Sequence, residues 1–144
     1  MNGNALPVTL ATKWLSDVWD QNAALYVMSP IASKLESICQ NWLNPLFGLP
    51  QHTVAGFVSG TSIATLSGLV AARFRQLQKL GWDVNQQGLF GAPKIRLILG
   101  RQTHGTVAKA ISLLGFGQSS IEWVDCDKQG RLIVENLPQL DQSC

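Results

Sequence analysis

Between residues 54 and 124 the chain alternates short apolar runs with stretches of helical period, an alternation that few architectures satisfy. Val54-Ala55-Gly56-Phe57-Val58 is apolar and rich in strand-favouring residues, which predicts a strand buried on both faces. From Ile63 the period becomes helical. Leu66, Val70, Phe74 and Leu77 share one face, Arg73, Arg75, Gln76 and Lys79 occupy the closing turns where cations suit the helix dipole, and Gly81 supplies the C-cap. Pro93 precedes a second predicted strand at 95–99. His104 then leads into a helix carrying Val107, Ala108, Ile111 and Leu114, which stops at Gly115. A third strand at 121–124 runs into the turn Asp127-Lys128-Gln129-Gly130. Strands separated by helices pair in parallel through right-handed crossovers, so the order predicts a layered α/β domain. Residues 83–93 read as a surface loop.

The segment before this alternation has a different character. Residues 1–28 show little periodicity beyond Trp14, Leu15, Val18 and Trp19, which suggest one or two amphipathic turns before the polar Asp20-Gln21-Asn22. They read as an arm. Ser29-Pro30 is a strong helix start, because serine caps free N–H groups and proline at the first helical position loses no hydrogen bond. Ile31, Leu35, Ile38 and Trp42 follow at helical spacing until Gly48 and Pro50. The tryptophans at 14, 19 and 42 therefore read as packing residues. The expected division is an arm and helix over 1–50 and a sheet-containing part over 51–144.

Composition narrows the function classes. The 144 residues carry a formal net charge of +2, and the basic side chains are scattered from Lys13 to Arg131, so a nucleic-acid partner is not expected. Cys39, Cys126 and Cys144 are far apart with no CxxC pair and no histidines at ligand spacing, which argues against a disulfide framework or a metal site. A reducing cytoplasm suits such a set. No uncharged apolar run approaches bilayer length, and no membrane insertion is expected.

Chemistry concentrates at two places. At 59–62, Ser59-Gly60-Thr61-Ser62 stands between a predicted strand and a helix, where free N–H groups and the positive end of the helix dipole can hold a phosphate. Gly60 allows close backbone approach, and the hydroxyls of Thr61 and Ser62 can bond the same anion. A simple helix cap uses the same residue types. The GxxxxGK[ST] phosphate loop and the GxSxG nucleophile elbow both fail on spacing, since no lysine stands nearby and Gly56 to Gly60 reads GxxSG. The second place is His104, just beyond the strand at 95–99, where parallel sheets gather ligands; a lone histidine there is more often a capping or surface group than a catalytic one. The two features are expected on one sheet edge.

The same residues resemble the group II pyridoxal-5′-phosphate (PLP) dependent amino-acid decarboxylases. Met28-Ser29-Pro30 through Lys34-Leu35-Glu36 to Trp42 is similar to the family's sPxxxxLE helix. Residues 56–66, with Gly60-Thr61-Ser62 at their centre, resemble the phosphate-binding turn written TSGGTEAN or GSASEAT, with Thr61 and Ser62 on the phosphate-contact positions. Arg101-Gln102-Thr103-His104, Val107, Lys109-Ala110, Leu113-Leu114-Gly115, Val124-Asp125, Asp127, Gly130 and Arg131 look like the SxxxHxSxxKAaxxLG...vpxDxxGR segment. The chain departs from the pattern at Ile63, where a glutamate is frequent, and at Thr61, where one version has a second glycine.

The resemblance implies the N-terminal portion of a carboxy-lyase acting on a small amino acid, with PLP as cofactor. It implies part of the large domain of a fold-type-I, aspartate-aminotransferase-like enzyme: a three-layer α/β/α arrangement with mainly parallel strands, preceded by a helical arm. By the same resemblance Gly60, Thr61 and Ser62 bind the phosphate, and His104 stacks on the pyridine ring as a catalytic residue. The complete enzyme is expected to be a cytoplasmic homodimer. The family's lysine that binds the cofactor covalently, and the aspartate that pairs with the pyridine nitrogen, have no counterpart here; Lys109 is not placed for that role. The 144-residue chain is accordingly expected to be inactive alone. A non-catalytic dimerisation module on this fold, an aminotransferase and a cysteine desulfurase are the alternatives.

Overall fold

The computed structural model describes residues 5–139, which cluster into two compact units divided between Phe57 and Val58. The first unit is helical. Helix α1 (Pro7–Val18) starts with proline in its first turn and no side-chain cap, and no residue in it is buried. It is longer than the one or two turns expected. Trp14 is 65% exposed and Val18 is likewise open, so the apolar stripe of α1 has no cover.

Helix α2 (Pro30–Leu46) begins as its sequence predicts. The Ser29 hydroxyl accepts a hydrogen bond from the Ala32 N–H at 3.4 Å and donates one to Gln21 Oε1 at 2.8 Å. The helix closes past Phe47 with Gly48 in the left-handed region (φ 63°). Its expected packing stripe is open, however, with Trp42 70% exposed. The buried residues of this unit are polar: Ser29, and Asn44, whose amide donates to the carbonyls of Thr53 (2.9 Å) and Gln51 (3.4 Å). Those bonds tie the chain leaving α2 back onto the helix.

The strand anticipated at 54–58 does not form. Its residues form no regular element and pair with no strand among the described residues, and the Ala55 N–H donates to Gln40 Oε1 at 2.9 Å. An apolar run becomes a strand only beside a neighbour that supplies the ladder. Here a side chain takes one of the donors.

The second unit holds the apolar core. Helix α3 (Thr61–Lys79) is followed by Gly81 (φ 74°), and a short helix α4 (Val84–Gln87) stands where a plain loop was expected. Asp83 caps α4, accepting from the Asn85 N–H at 2.9 Å, and Val84 is buried. Strand β1 (Leu97–Gly100) starts two residues later than expected. Helix α5 (Gly105–Leu113) then leads through a 3-10 turn, Gln118–Ser120, to strand β2 (Ile121–Val124). The strands pair in parallel, from Leu97 opposite Ile121 to Gly100 opposite Val124, as the crossover through α5 requires. Leu77, Val84, Ala110, Ile111, Leu114, Ile121 and Val124 form the core. Arg73 Nη1 also donates to the Leu114 carbonyl at 3.0 Å, joining the C-terminal parts of α3 and α5.

Candidate functional site

The first candidate group is the N-terminus of α3. Gly60 is its N-cap in extended conformation and makes no side-chain cap hydrogen bond, so the capping role falls to a bare glycine and leaves the hydroxyls of Thr61 and Ser62 outside it. Its carbonyl accepts from the N–H groups of Ile63 (3.1 Å) and Ala64 (3.0 Å). The N–H groups of Thr61 and Ser62 have no hydrogen-bond partner among the described residues. Both side chains are exposed and the first turn contains no acidic residue. Open space surrounds the position a Gly60 side chain would take. Two donor N–H groups, two hydroxyls and the positive end of a 19-residue helix make a donor set that fits a phosphate.

The second group is the turn from β1 to α5. The Arg101 N–H donates to the Val124 carbonyl and the Thr103 N–H to that of Gly100, both at 2.9 Å, so the parallel pairing continues into the turn. His104 follows as N-cap of α5. Its Nδ1 accepts from the Thr106 N–H at 3.3 Å and lies 2.9 Å from Thr106 Oγ1. Accepting through Nδ1 puts the proton of the neutral ring on Nε2. The ring is exposed. His104 is therefore an exposed helix cap in this structure.

The side chains that fasten this turn lie in the third resembling segment, but their pairing was not anticipated from the sequence. Arg101 Nε bonds Asp125 Oδ1 at 2.6 Å. Beyond β2 the chain folds back as a hairpin: Cys126 pairs with Leu132, and the Asp127 N–H donates to the Arg131 carbonyl at 2.8 Å. Asp127 Oδ1 accepts from the N–H groups of Arg131 (3.0 Å) and Gln129 (2.8 Å), and Oδ2 accepts from Arg131 Nε (2.8 Å). Those bonds, the Arg131 N–H first and its guanidinium next, hold the Asp127 carboxyl below the ordinary aspartate range. The Arg96 guanidinium does the same for Glu122 at the opposite end of the strand pair, by a hydrogen bond before simple charge attraction. The available sequence signal was the presence of Arg101, Asp125, Asp127 and Arg131 within one resembling segment.

Among the described residues no hydrogen bond joins residues 60–62 to His104. The expectation that both follow strands on one sheet edge holds for His104 alone, because 54–58 is not a strand. Lys109 is exposed on α5. Two cavities, of about 250 and 180 Å³, are lined by neither candidate group. No cluster of three potential metal ligands occurs among the described residues, and no helix there is long and apolar enough to cross a membrane.

Residues 1–141 match the family model of the pyridoxal-dependent decarboxylase conserved domain, and the chain belongs to that family. The family's cofactor is pyridoxal 5′-phosphate. A crystal structure of mouse CSAD is similar over 92% of this chain and 27% of its own, at 26% identity and a TM-score of 0.83. Its apo form gives 26% identity and a TM-score of 0.79 over 88% of this chain and 26% of that one. The glutamate decarboxylase domain of diaminobutyrate-pyruvate transaminase and L-2,4-diaminobutyrate decarboxylase from Vibrio parahaemolyticus matches at 24% identity over 90% of this chain and 29% of its own, with a TM-score of 0.83; at that identity the likeness concerns the fold. The fold is thus part of a fold-type-I PLP enzyme, and the chain spans less than a third of the length of these solved chains.

Proposed function

We propose that this chain is the cofactor-cradling portion of a PLP-dependent amino-acid decarboxylase, with residues 51–144 beginning its large domain. The observation that carries the reading is the N-terminus of α3, with N–H groups free at Thr61 and Ser62. Gly60, Thr61 and Ser62 bind the cofactor phosphate. His104 would stack on the pyridine ring and orient it, with Nε2 available to hold a proton beside the bound substrate. The bound cofactor supplies the electron sink that makes loss of CO₂ from a small amino acid feasible. The complete enzyme works as a cytoplasmic homodimer in which the 1–28 arm reaches the partner subunit.

A polypeptide of these 144 residues alone is inactive on this reading, because neither a covalent lysine nor a pyridine-facing aspartate accompanies the phosphate turn. A non-catalytic dimerisation module is the second reading, favoured by the open apolar stripes of α1 and α2. Titration of the isotope-labelled chain with PLP, and separately with inorganic phosphate, tests the first. Both ligands are expected to shift the Thr61 and Ser62 amide resonances weakly and saturably, and Ser62→Ala to weaken the response. No CO₂ is expected from any amino acid supplied. Silence at both amides would remove the phosphate turn from the proposal, and turnover by the 144-residue chain would overturn its inactivity.

A further inference from the structure

The turn that delivers His104 leans on the hairpin at 125–133 at three successive residues. Gly100 comes first: a side chain there would begin 3.0 Å from both Cys126 Sγ and Leu132 Cδ2, so the hairpin closes over the end of β1 because this position has none. Arg101 is next, bonded to Val124 through its backbone and to Asp125 through its guanidinium. Gln102 is third, its Oε1 only 2.9 Å from where a Gly130 side chain would start. The Asp127 bonds to Gln129 and Arg131 in turn keep the hairpin closed.

We propose that the 125–133 hairpin is the positioning element for His104, with Asp125 and the bare backbone of Gly100 setting where the 101–104 turn, and hence the ring, stands. This rests on the reading that His104 faces the cofactor, because only then does the position of the ring matter to the reaction. Asp125, Asp127 and Gly130 touch no reacting atom; they act through Arg101, Gln102 and the turn.

The test reads the His104 imidazole directly, by nitrogen-15 resonances of the chain without cofactor. Wild type is expected to show the Nε2–H form with Nδ1 as acceptor. Gly100→Val forces the hairpin away and is expected to replace that pattern by an average of the two neutral forms. Asp125→Asn leaves the backbone intact and is expected to move the resonances in the same direction by less. Gly117→Val places a side chain at a strained positive φ (75°), remote from the turn, as a control for general destabilisation, and is expected to leave the ring as in wild type. Wild-type His104 resonances in both Gly100→Val and Asp125→Asn, or equal disturbance in Gly117→Val, would overturn the proposal. The Thr61 and Ser62 response to phosphate, recorded on the same samples, reports separately on the phosphate turn.

Discussion

The two units of this chain are stabilised by different means. In the second, seven apolar side chains from α3 to β2 are buried. In the first, the buried side chains are a serine and an asparagine, while the tryptophans of α1 and α2 stand in solvent. Hydrophobic burial is the dominant favourable contribution to most folded domains, so the first unit has local order without a core of its own. Its helices are specified by a proline start and a serine cap, and its apolar stripes are surfaces awaiting cover.

Substitutions can break this contrast. The largest effect is expected from Ile111→Ala, since this side chain is 1% exposed among α5's contacts; about 2–5 kcal/mol of stability should be lost from the second unit, measured by chemical denaturation. Asn44→Ala should cost the first unit about 1–3 kcal/mol by leaving the carbonyls of Thr53 and Gln51 without their donor, seen as faster amide exchange over α2. Equal losses of exchange protection in both units from either substitution would show that they unfold as one.

Acid sharpens the comparison further. Because the folded Asp127 carboxyl lies below its ordinary range, its contribution is present above the unfolded pKa and disappears as pH falls through the folded one. Exchange at Gln129 and Arg131 should therefore accelerate relative to the α3–α5 core as pH falls below about 4. The smallest effect belongs to Trp14→Ser, expected within about 0.5 kcal/mol in the isolated chain. A larger loss there would show that α1 is covered in solution.

Features that depend on neighbours in sequence were the legible ones. Ser29-Pro30 and Gly81 marked helix boundaries, and β2 fell where its apolar run stands. The missed α4 had a local signal too, in Asp83 ahead of Val84. What failed was non-local. Whether 54–58 is a strand depends on a partner that its own residues cannot specify, and whether Trp42 packs depends on a surface elsewhere. The same division applies to the site: small and hydroxyl residues at 60–62 were visible, whereas the pairing of Arg101 with Asp125 required knowing that β1 and β2 lie side by side in parallel.

That parallel pairing has a consequence for the order in which the molecule assembles. Leu97 meets Ile121 only after the whole of α5 has been looped back, and a nine-residue helix is too short to persist before docking. No tight turn can start the ladder, so sheet and crossover must appear together as one slow, cooperative event. The α3 N-terminus needs no such pairing to offer its N–H groups to an anion, whereas His104 takes its place only when β1, α5 and β2 stand together.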